Sequence, residues 1–76
     1  MNATLNMTGV FAVLAAEGRY GDECPIYATF TDLAKARLYA KSGGCQILSG
    51  CRQAAGTRVG RGELATMKSA GLWREV

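Results

Sequence analysis

The sequence predicts a small α+β domain, an antiparallel sheet of three to five strands with both helices against it, in the order ββαββα followed by a short last strand. Three observations carry this. Short apolar runs alternate with glycine-containing breaks; two stretches of good helix formers each end on glycine; and 76 residues leave room for one core, because single domains cluster near 100–150 residues. With 49% hydrophobic and 20% charged residues and one proline, the chain is neither a disordered tail nor collagen-like. A domain of this size buries only about 60% of the surface its unfolded chain exposes, so a homodimer, which would add to its stability, is left open.

Residues 1–7 are read as a flexible lead into the single domain, residues 1–76. From Thr8 to Ala16 the side chains are apolar, β-branched or small with little alternation, which suits a strand covered on both faces or lying in the middle of a sheet. Residues 17–23, with two glycines and four charges, read as an exposed connection between antiparallel strands. Cys24–Phe30 is the second strand, with Ile26, Ala28 and Phe30 expected on one side and Tyr27 and Thr29 on the other. Pro25 lacks an N–H and belongs near a strand start or on an edge.

A helix is predicted from Asp32 to about Ser42, capped by Thr31 or Thr29 and stopped by Gly43-Gly44. Leu33, Ala36, Tyr39 and Ala40 share the face expected to meet the sheet. Cys45–Gln53 follows as a strand in which Cys45, Ile47 and Cys51 share one face as small core residues. Ala54-Ala55-Gly56 marks a turn, residues 57–59 a returning strand and Glu63–Ala70 the second helix. Gly71 ends that helix, and Leu72 falls where a Schellman motif places a hydrophobe against the third-from-last helical residue, Met67. Residues 72–76 read as a terminal strand. Asp32-Leu33-Ala34 recurs 31 residues later as Glu63-Leu64-Ala65, three positions that are weak evidence for a duplication.

The net charge of +3 hides an asymmetry. Residues 1–34 carry Arg19 against Glu17, Asp22, Glu23 and Asp32, and residues 35–76 carry eight cations against Glu63 and Glu75, so the halves stand at −3 and +6. Such halves steer a partner of mixed charge or attract each other within the fold. Three cysteines are an odd number for a disulfide scaffold and point to a reducing, cytoplasmic setting. The apolar run 10–16 has no basic residue before it and is far short of the roughly 20 residues that span a bilayer, so no membrane role is expected. Two Asn-X-Thr sequons, at Asn2 and Asn6, mean nothing without secretion.

Candidate chemistry is sparse. There is no histidine, and the cysteines lack the close pairing of a structural zinc site, so no metal, no cofactor and no catalytic residue is assigned, and the chain is not expected to be an enzyme. Gly60-Arg61-Gly62-Glu63-Leu64-Ala65 matches a relaxed dinucleotide fingerprint, but the 11 residues after Ala65 cannot complete a βαβ unit. What remains is a helix start with free N–H groups, two glycines and nearby cations, giving Gly60, Arg61 and Gly62 as a candidate anion site; a simple turn that needs glycine reads the same way.

Arg52, Arg58, Arg61, Lys68 and Trp73 are the candidate partner-binding residues, since arginine and tryptophan are enriched at interface hot spots. The function expected is that of a non-enzymatic protein that docks on a macromolecular partner, a protein or a protein–nucleic acid complex, as inhibitor or adaptor. The alternative is a nucleic-acid-binding module using the same Gly/Arg loop. That alternative lacks aromatics interleaved with the cations. In size, in its lack of catalytic equipment and in its split charge the chain is similar to the small proteins that phages and mobile elements encode against host machinery, a class that includes anti-CRISPR proteins. The likeness is one of kind, rests on no motif and transfers no residue.

Overall fold

The computed structural model describes residues 10–41 and 44–76. The expected flexible lead 1–7, the strand start at Thr8 and the helix stop at Ser42-Gly43 lie outside the described residues. The elements are β1 (Phe11–Leu14), β2 (Glu23–Phe30), α1 (Leu33–Ala40), β3 (Gln46–Ser49), β4 (Arg58–Gly60), α2 (Arg61–Ser69) and β5 (Arg74–Glu75). They form one five-stranded sheet in the order β4-β2-β1-β3-β5, antiparallel at every pairing. The α+β class and the order of elements are therefore as the sequence predicts.

β1 lies at the centre of the sheet, between β2 and β3, which is why its residues do not alternate in polarity. Ala12, Val13, Leu14 and Ala15 are all fully buried. Ala12 and Leu14 join Cys24, Ile26, Leu48, Cys51, Val59, Leu64 and Trp73 in one cluster, with Met67 packed against it. That cluster is the face covered by α2. Val13 points the other way, in register with Ala28 and Ile47, toward the side of α1 and its buried Ala36. On that side Phe30, paired with Phe11, packs against Tyr39 of α1 with the rings tilted at 55° and 5.5 Å between centroids. The two helices thus cover opposite faces of the sheet.

Two backbone irregularities overturn the expected faces. Val13 pairs with Ala28 but Leu14 pairs with Ile26, so β2 carries a bulge at Tyr27. Ile26 consequently packs with Leu14 under α2, whereas Ala28 and Phe30 lie on the α1 face; strict alternation would have kept all three together. In the same way Gly50, at φ +91°, turns the chain after β3, and Cys51 joins Leu48 in the α2-side core instead of Ile47. Only glycine adopts that conformation without strain.

The helix ends follow from capping. Asp32, not Thr31 or Thr29, caps α1: its Oδ1 accepts from the Ala34 N–H at 2.9 Å. α2 starts two residues earlier than predicted, with Gly60 as its N-cap and Arg61 already helical. Its end is the Schellman motif the sequence predicts, with Gly71 at φ +76°, Leu72 N donating to Met67 O at 3.0 Å and Gly71 N to Lys68 O at 3.0 Å. Among the described residues no helix is long and apolar enough to cross a membrane.

Candidate docking site

The acidic connection between β1 and β2 folds back against the start of α2. There Arg58 faces Glu23 at 3.6 Å and Arg61 faces Asp22 at 3.5 Å. Arg61 is held further: Nη2 donates to Gly21 O at 3.2 Å and its backbone N–H to Asp22 O at 2.7 Å. The two candidate anion-binding cations therefore lie against carboxylates of the same chain, and one N–H of the helix start is already used. Exposed pairs of this kind contribute about 0–1 kcal/mol each, so their effect is on local charge more than on stability. Gly60 and Gly62 flank Arg61 at the helix start with open space around both.

Lys68 is only a quarter exposed and acts as a clamp. Its Nζ meets Glu17 at 3.4 Å, Glu75 at 3.7 Å and Gln46 Oε1 at 3.3 Å, tying the hairpin loop, β3 and β5 to α2. Gln46 in turn donates to Ala15 O at 2.9 Å. Trp73 is 4% exposed and closes the core. Tyr20 stays in the acidic hairpin, with Arg19 over its ring at 5.9 Å and its hydroxyl accepting from Tyr27 at 3.2 Å.

The remaining candidate, Arg52, stands apart: it is exposed and has no ion pair among the described residues. It lines a groove of about 440 Å³ together with Gly50, Gln53, Met67, Leu72 and Trp73. Apolar side chains from the end of α2 and the turn after it face the 50–53 segment, which Gly50 brings close to the Leu72 carbonyl. Gln53 Nε2 donates to Glu63 Oε2 at 3.2 Å and so fixes this segment to α2. Leu72, 58% exposed, leaves part of its side chain at the surface. Of the five predicted partner-binding residues, the structure thus brings Arg52 and Trp73 to one groove and places Arg58, Arg61 and Lys68 in ion pairs elsewhere.

Gly50, Gln53, Met67 and Leu72 are the lining residues that sequence reasoning missed. One signal for them was present, since a glycine inside a strand pattern marks a bulge or a close backbone approach. The groove is mixed, with polar and apolar surface in about equal parts, Met67 and Leu72 standing beside one guanidinium, an arrangement suited to an apolar side chain with a carboxylate next to it.

All three cysteines are free, Cys24 and Cys51 buried and Cys45 partly so. Burial pushes the Cys24 and Cys51 thiols up from the ordinary 9.0, with Glu17 adding to the rise at Cys24. Disfavouring the thiolate makes both poor nucleophiles. Among the described residues no group of three or more acidic or thiol side chains could hold a metal ion. Because the fold favours the protonated thiols, the unfolded chain loses these protons first; their contribution to stability is complete below the ordinary thiol value and falls as pH rises through the raised ones. Stability followed by circular dichroism is expected to decline above about pH 9, and a thiol reagent is expected to modify Cys45 first, with Cys24 and Cys51 protected until the protein unfolds. Equal rates at all three thiols would contradict this packing.

Compared with known proteins, the chain matches no family model, no curated protein and no solved structure.

Proposed function

We propose that this chain is a non-enzymatic binding protein that docks on a protein partner, as an inhibitor or adaptor of the kind that phages and mobile elements encode, through the groove beside Arg52. The observation that carries this reading is the groove itself, where Met67, Leu72 and the nearly buried Trp73 stand beside the polar 50–53 segment and Arg52 is the one charged lining side chain. An apolar centre with a charged edge is how protein interfaces are built, and arginine is enriched in them. The partner presents a leucine- or phenylalanine-sized side chain with an acidic neighbour. The nucleic-acid reading asks for Arg58, Arg61 and Lys68 as free cations, and in the fold Glu23, Asp22, Glu17 and Glu75 lie against them.

The test is affinity capture from lysate with and without nuclease treatment, using the tagged protein and its Arg52→Glu variant. A stoichiometric protein retained by the first and lost at least tenfold by the second is the expected result. Material that disappears with nuclease in both would overturn the reading in favour of nucleic acid.

A further inference from the structure

The outward face of α1 combines an exposed apolar side chain with exposed cations. At 100° per residue Leu38 stands almost opposite the buried Ala36, with Lys35 and Lys41 about 60° to either side of it and Arg37 and Tyr39 about 100° away. Leu38 is 71% exposed and Tyr39 46%, the former the most exposed large hydrophobic side chain among the described residues. Lys35, Arg37 and Lys41 are exposed too.

Three of the chain's nine cations, Lys35, Arg37 and Lys41, stand together on this one face, whereas Arg52 and Arg74, which also have no ion pair among the described residues, lie on separate segments. Five of the six acids are engaged on other elements, and the sixth, Asp32, sits at the start of α1 itself. Glu17 and Glu75 meet Lys68, Asp22 meets Arg61, Glu23 meets Arg58, Glu63 accepts from Gln53, and Asp32 caps the helix. Among the described residues none of the three α1 cations has an ion pair, and residues 1–9 and 42–43 contain no Asp or Glu that could supply one.

We propose that the outer face of α1 docks an acidic protein surface, with Leu38 filling an apolar recess and Lys35, Arg37 and Lys41 meeting carboxylates around it. A protein is the occupant because an apolar anchor ringed by charge matches interface anatomy, whereas phosphates make no use of Leu38. Three cations within about 9 Å of helix are also few for a nucleic-acid site. The surface lies on the side of the sheet opposite the Arg52 groove and does not depend on it. Two faces of this kind let one small chain bridge two proteins, or two parts of one.

The experiment is a titration of the 15N-labelled full chain, followed by amide shifts, with three probes: a twelve-residue peptide of glutamates around a central Leu-Phe pair, an all-glutamate peptide of the same length, and a twelve-base-pair DNA duplex. The mixed peptide is expected to shift the amides of residues 33–41 and to bind at least tenfold more tightly than polyglutamate. Leu38→Ser should remove that tenfold advantage as read at residues 33–41, and Lys35→Glu with Lys41→Glu should abolish the shifts of those amides, while shifts at Gly50, Gln53, Met67 and Leu72 report the groove separately, since its ligand chemistry is shared by the same peptide. DNA binding as tight as the mixed peptide, Leu38→Ser without effect, shifts confined to other residues, or no binding by any probe at millimolar concentration would each overturn the proposal. Shifts confined to Gly50, Gln53, Met67 and Leu72, with residues 33–41 unmoved, would assign the peptide to the groove and overturn the α1 site while leaving the groove reading intact.

Discussion

Trp73→Ala is expected to abolish cooperative unfolding, or to cost about 3–5 kcal/mol where a transition can still be measured. Trp73 is 4% exposed and shares one cluster with Leu14, Leu48, Cys51, Val59 and Leu64, so removing the indole opens a cavity at the junction of α2, β5 and the central strands. The loss is severe because a single core of this size rarely supplies more than about 3–5 kcal/mol in total. Urea titration followed by far-ultraviolet circular dichroism measures it. Trp73→Phe, which keeps most of the apolar volume, should retain a transition at lower urea. A Trp73→Ala protein as stable as the parent would mean that the indole does not close this core. The same argument removes Trp73 from use as a binding probe, since its truncation would lower binding by unfolding.

The second large effect is at Gly50. A Cβ built there lies 2.5 Å from the Leu72 carbonyl oxygen, and the residue sits at φ +91°. Gly50→Ala therefore combines backbone strain of about 1–2 kcal/mol with a clash against main chain that cannot rotate away. The expected total is about 2–4 kcal/mol. Gly56 separates the two contributions: its φ is +92°, but nothing lies within 4 Å of a Cβ built there. Gly56→Ala should cost only the strain, about 1–2 kcal/mol. Equal losses at the two positions, measured in the same urea titrations, would show that the approach of the 50–53 segment to Leu72 is not tight. Because Gly50 holds that segment against the end of α2, Gly50→Ala is also expected to distort the groove that Arg52 lines.

Local rules made much of the fold legible. The unbroken apolar character of residues 10–16 marks a central strand, and β1 has a strand on each side and a helix on each face. Gly71 and Leu72 mark the Schellman end of α2. What escaped were features set by distant partners or by a single irregular residue. The bulge at Tyr27 moves Ala28 and Phe30 to the other face, and nothing in the alternating pattern of β2 announces it. Gly50 flips Cys51 into the α2-side core for the same kind of reason.

The candidate site was less legible than the fold. Arg58 and Arg61 read as free cations because Glu23 and Asp22 are far away in the chain, and only the β2–β4 pairing brings them together. Lys68 likewise meets Glu17 and Gln46 from other strands and loops. Arg52 was legible as a cation, but its apolar neighbours Met67 and Leu72 come from the end of α2 and the turn after it. The charge of α1 was visible in its residues; its freedom from partners was not, since that depends on where every acid in the molecule has gone.

The most direct measurement is photocrosslinking from the groove, with a benzophenone amino acid in place of Leu72, whose side chain is 58% exposed beside Arg52. In a nuclease-treated lysate this account predicts one discrete crosslinked protein, lost when Arg52→Glu is added and absent when the label is placed at Tyr20 in the acidic hairpin. Crosslinks of equal yield from both positions, or crosslinks to nucleic acid alone in an untreated lysate, would contradict it.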